Sequence, residues 1–147
     1  MPIDQVNITR NQSTLKVTLE HVFLFDNRFD ERVLHNTTAT AEITIKAGDL
    51  LFKNAATTVD KLTDVDANID KIVGIAAMES DVAVADTATL NINMGVEGTI
   101  NENLINLPGT MTFDDVIPTT NLTLRDHLNQ LGFHLETSSE NTKFDNL

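Results

Sequence analysis

The chain of 147 residues has no cysteine, no tryptophan and no tyrosine, and only three prolines and six glycines. Without cysteine there is no disulfide, no thiol nucleophile and no Cys-ligated zinc or iron–sulfur site, and nothing indicates a redox compartment. Without Trp or Tyr, a sugar-stacking platform has only seven phenylalanines to draw on. Basic residues are also scarce. Ten Lys plus Arg against 22 Asp plus Glu leave a net charge of −12 and a pI near 4.4. That balance opposes binding to a phosphate backbone and excludes a polybasic membrane-surface module. The apolar stretch 22–25 falls far short of the roughly 20 residues of a membrane helix. The opening MPIDQVNITRNQ lacks a basic segment followed by an apolar run, so no signal peptide is expected. The expectation is a soluble protein made in the cytoplasm, with no nucleic-acid or membrane partner. Its N-x-S/T triplets at Asn7, Asn11, Asn36 and Asn121 then arise from composition alone.

What is abundant is Thr, with 20 copies, and Asn, with 15. Thr, Val and Ile suit a pleated, half-buried surface and Asn suits turns, so the composition leans towards β structure with an aliphatic core. One domain fits the length. The expected organisation is a flexible arm over residues 1–12, a mainly-β domain over 13–135 and a polar tail over 136–147. The fold class expected is a compact barrel- or sandwich-like β domain with one short helix near the C-terminus and an extended N-terminal arm.

Residues 13–25 alternate with period two: Leu15, Val17, Leu19, Phe23 and Phe25 on one face, Lys16, Thr18 and Glu20 on the other. His21 falls on the apolar face, as a half-buried structural residue. The charged stretch 27–36 reads as a loop or irregular helix. Ile43 and Ile45 point inward opposite Thr44 and Lys46. Ala47-Gly48-Asp49 is then a tight turn before a strand at Leu50-Leu51-Phe52. Residues 53–70 read as an acidic loop. In 71–78, Gly74 marks a bend or a close backbone approach. Leu90, Ile92 and Met94 alternate with Asn91 and Asn93, after which Gly95 and Gly98 act as punctuation. Pro108-Gly109 and Pro118 mark turns. The helix signal is Thr123 as N-cap with Asp126 three residues on, a stripe of Leu124, Leu128 and Leu131, and Gly132 as the stop. Residues 133–135 read as a closing strand.

Candidate chemistry is sparse. Asp64, Asp66, Asn68 and Asp70 alternate like the first ligands of a calcium loop. However, Ile69 stands where such a loop turns on Gly, and Ile75 where it needs a bidentate Glu. The alternation equally suits an acidic, solvent-facing edge. His21, His35, His127 and His134 are dispersed, and none belongs to an HExxH motif. The serines Ser13, Ser80, Ser138 and Ser139 sit in no nucleophile motif. Asp114 and Asp115 are adjacent, so on extended chain they point opposite ways. Gly95 and Gly98 lack the helix of a phosphate-binding loop. The expectation is therefore no enzyme, no catalytic residue, no metal site and no cofactor. Two alternatives stay open: a calcium-dependent binding module, and a metal-assisted hydrolase using Asp64, Asp66, Asp70 and a histidine.

Three segments carry a likeness to a known family. They are Ile45-Lys46-Ala47-Gly48-Asp49-Leu50-Leu51, Ile72-Val73-Gly74-Ile75-Ala76 and Gly95-Val96-Glu97-Gly98-Thr99-Ile100. In that order they resemble the head decoration proteins of tailed bacteriophages, of the kind that coats the lambda head. The resemblance implies a mainly-β, non-catalytic virion structural protein that binds the outer capsid surface and stabilises the shell. It implies the major capsid protein as partner, self-association as a homotrimer, and an N-terminal arm that orders on the shell. A head-fibre, tail or connector component is the neighbouring alternative. The N-terminal strand region and the stretch 123–147 depart from the family pattern.

Overall fold

In the computed structural model, the described residues are 15–17, 21–37, 41–63, 68–137 and 139–141. The strands are β1 (Leu15–Val17), β2 (Phe23–His35), β3 (Ile43–Ile45), β4 (Leu50–Lys53), β5 (Thr58–Lys61), β6 (Ile72–Ala76), β7 (Val82–Val84), β8 (Thr89–Asn101), β9 (Val116–Ile117), β10 (Leu122–Thr123), β11 (Phe133–Glu136) and β12 (Ser139–Asn141). A single α-helix, α1 (Leu124–Leu131), is present among the described residues.

Five strands close into a barrel in the order β8–β2–β5–β4–β6 and back to β8. Every contact in the ring is antiparallel except β2 with β5. Closure removes edges that an open sheet would have to protect, save along residues 23–32 of β2, whose second side no described strand covers. The two 13-residue strands β2 and β8 run together from Phe23 opposite Ile100 to His35 opposite Thr89. Outside the ring, β11 lies parallel to β8, β3 pairs with β7, β9 with β10, and β1 with β12.

The core divides in two because β4 is buried on both faces. Leu51 joins Leu34, Val59, Ala76, Ile92 and Met94, which the β3–β7 ribbon covers with Ile43, Ile45 and Val84. Leu50 and Phe52 face a second cluster with Ile72, Ile100, Ile117 and Phe133, and α1 lies over it with Leu124 and Leu128. Gly74 permits the close approach that its place in an apolar run suggests: a Cβ there would lie 2.5 Å from Met94 Cγ.

The helix follows its local signals. The Thr123 hydroxyl accepts from the Asp126 amide at 3.1 Å, and Gly132 ends the helix at φ 112°. The amides of Leu124 and Arg125 donate to the carbonyls of Asp115 and Phe113, which satisfies first-turn donors that have no partner within a helix.

Elsewhere the strands overrule local sequence. The stretch 27–36, expected as a loop or irregular helix, belongs to β2 up to His35, because the ladder to β8 supplies its backbone bonds while its charges stay in water. The expected loop 53–70 contains β5, at the centre of the barrel wall. Gly95 and Gly98 do not interrupt β8. They admit the Phe23 ring and the Asn27 side chain against its backbone. Residue 136 extends β11, and residues 139–141 form β12. The expected arm over 1–12 lies outside the described residues.

Candidate functional site

Among the described residues, those singled out for chemistry do not converge. Asp64 and Asp66 lie outside the described residues. Asn68 adopts φ 63° before a one-turn 3₁₀ helix, and its side-chain oxygen accepts from the Lys71 ammonium at 3.2 Å. Among the described residues, no group of three or more His, Asp or Glu side chains could hold a metal ion.

The histidines occupy separate places. His127 Nε2 donates to the Ile72 carbonyl at 3.1 Å, fastening α1 to β6. His134 faces Glu136 at 3.1 Å on the surface, and the His35 carbonyl accepts from Asn54. His21 is exposed, not half-buried, because the chain bends between residues 21 and 22 before β2 begins. Asp115 accepts from the amide and hydroxyl of Thr112, while Asp114 turns outward towards Arg125 at 3.6 Å. Ser80 is exposed and Ser139 lies in β12, whereas Ser13 and Ser138 fall outside the described residues.

The buried charges are fully engaged in holding the fold. Asp49 accepts from the Lys46 amide at 2.8 Å and from Asn106 at 2.8 Å, and meets the Lys61 ammonium at 3.3 Å. Asp60 accepts from the Thr37 amide and hydroxyl and from the Lys61 amide. Asn36 donates to the carbonyls of Ala41, Val84 and Ala85, locking the β3–β7 ribbon to the end of β2. Arg125 bonds Glu102 at 2.6 Å and lies 5.5 Å over the Phe113 ring. That hydrogen bond, joined by the charges of Glu102 and Asp114, raises the guanidinium pKa above its ordinary value.

The feature that stands apart is one side of β2. Phe25, Phe29 and Val33 are exposed by 56%, 45% and 36%. The alternation that places Phe25 inward fails at bulges between Phe23 and Phe29, where Asp26 takes φ 53°. A bulge shifts register, and one residue of shift turns a side chain to the other face. Phe29 meets Phe23 edge-on, with centroids 5.0 Å apart. Beside them lies a hollow of about 470 Å³ bounded by Phe23, Phe29, Ala47 and Met78. Among the described residues, the Asn27 side-chain oxygen is buried without a hydrogen-bond partner.

Among the described residues, one edge of the same strand is only partly paired. Its other side takes β5 only at Val33 and Leu34. From residue 23 to 32 that side meets no strand among the described residues. Its charges are paired only at the surface: Arg28 with Glu97 at 3.0 Å, and Arg32 with Asp30 at 3.2 Å. Two exposed aromatic side chains thus lie along a strand edge that no described strand covers.

No family model matches the chain, and no curated protein sequence matches it.

Proposed function

We propose that this chain is a bacteriophage virion structural protein, a decoration or auxiliary capsid protein that binds the outer capsid surface and stabilises it without catalysing a reaction. The supporting observation is where the three resemblance-bearing segments lie. Leu50 stands opposite Ile75, and Ile75 opposite Gly95, so the segments form adjacent strands of one barrel wall. Residues far apart in sequence thus belong to a single packed unit, as a shared architecture requires.

The physics of the role fits the composition. Clamping a shell needs interface area and a soluble outer face, and it needs no reaction pocket. A net charge of −12 keeps the free protein dispersed in the host cytoplasm before assembly. In this reading the partner is the major capsid protein, residues 1–12 are the segment that engages it, and copies of the chain associate on the shell.

The test is co-sedimentation of the purified chain with expanded phage shells, comparing the full chain with one lacking residues 1–12. The full chain is expected to coat shells across their surface. The truncated chain is expected to keep the parent's far-UV circular dichroism and bind more weakly. Equal binding by both refutes the role of the arm. No binding by the full chain refutes the capsid reading, and occupancy confined to one vertex or the tail transfers the chain to the head-fibre, tail or connector class.

A further inference from the structure

We infer that the wedge between β2 and β5 is a binding site for a small amphiphilic anion, its apolar body in the wedge and its acid group at Lys53. The wedge has a topological cause. The two strands are parallel and pair only at Val33 with Thr58 and at Leu34 with Val59. Residues 54–57 turn between β4 and β5, closed by the Asn54 amide on the Thr58 carbonyl at 3.3 Å. The strand β5 therefore starts too late to meet the earlier part of β2. Residues 31–33 on one side and 56–59 on the other bound a hollow of about 530 Å³. That size lies within the roughly 300–1,000 Å³ of small-molecule clefts.

The lining has an apolar part and a charged part. Val59 belongs to the second core cluster and Val73 packs against it, so the apolar surface of the hollow is continuous with the barrel core. Around it stand Glu31, Arg32 and Lys53. Arg32 is answered by Asp30 at 3.2 Å. Lys53 is exposed and makes no hydrogen bond or ion pair among the described residues. With Val73 it also borders an adjoining hollow of about 370 Å³, which Lys71 flanks. A lysine stem covers apolar surface while its ammonium reaches water. Apolar surface ending at an unanswered cation suits a ligand with a hydrocarbon body and one negative group. Glu31 repels a second negative charge, so a monoanion fits better than a dianion.

The charge of the whole chain makes the inference sharply testable. At −12, the protein attracts organic cations and repels anions. Preference for an anion therefore requires a local cation, and among the described residues lining the hollow these are Arg32 and Lys53. The wedge shares no lining residue with the hollow beside Phe23 and Phe29. None of this depends on the capsid reading.

The test titrates the full chain near neutral pH with sodium octanoate, octylammonium chloride and octanol, by calorimetry, while amide NMR shifts locate the contact. Octanoate is expected to bind at a single site with a Kd below about 1 mM, shifting the amides of residues 56–59 and 73. Octylammonium and octanol are expected to bind at least about tenfold more weakly. Lys53→Glu is expected to weaken octanoate binding by at least about tenfold with the parent's far-UV circular dichroism, and Lys53→Arg to retain binding. Lys46→Glu makes the same change of charge at an exposed site outside the hollow. It is expected to leave octanoate affinity within about twofold of the parent. No saturable octanoate binding up to about 1 mM overturns the inference. So does octylammonium or octanol binding as tightly as octanoate, or shifts confined to residues 21–29. Octanoate binding untouched by Lys53→Glu, or weakened equally by Lys46→Glu, also overturns it.

Discussion

Replacing Lys61 with Met should destabilise the barrel by about 3 kcal/mol, because it removes the cation facing a carboxylate that is 1% exposed. The ammonium lies 3.3 Å from Asp49 Oδ2, which at an effective dielectric near 20 corresponds to a gross attraction of roughly 5 kcal/mol. Lys61 retains 23% side-chain exposure, so water screens part of that attraction. Its second bond, to the Thr44 carbonyl at 2.8 Å, is also lost, at about 1 kcal/mol. Asp49 keeps its bonds from the Lys46 amide and Asn106, which prevents a larger loss. With no Trp or Tyr in the chain, urea unfolding is best followed by far-UV circular dichroism. Adding Asp49→Asn removes the stranded charge, so the double variant should lose about 2 kcal/mol less than the sum of the single changes. Lys61→Met within about 0.5 kcal/mol of the parent, or strict additivity in the cycle, refutes the reasoning. Because Asp49 belongs to the Ala47-Gly48-Asp49 turn, the same experiment shows what that motif does for the fold.

Two further substitutions probe packing. Leu128→Asp buries an unpaired charge at a position with no exposure and should cost on the order of 3 kcal/mol or more in urea unfolding; an unchanged midpoint would mean that α1 does not cover the core as described. Gly95→Ala sets a Cβ within 2.6 Å of Phe23 Cζ and should cost about 1–3 kcal/mol. It should also alter the near-UV phenylalanine signal, since Phe23 leans on Phe29; a spectrum and stability matching the parent would contradict that contact.

The elements legible in sequence are those whose causes are local. Thr123, the leucine stripe and Gly132 act within ten residues of one another, and together they define α1. Ile43 and Ile45 declare their buried face by simple alternation. The elements that were not legible depend on distant partners. In β5, Asp60 is acceptable inside the barrel wall because Thr37, 23 residues earlier, donates twice to it, beside the local Lys61 amide. In β8, Gly95 and Gly98 look like punctuation until Phe23 and Asn27 are brought against them. The exposed face of β2 was hidden for a related reason. Strict alternation buries Phe25, and only the left-handed turn at Asp26 shows where the alternation stops.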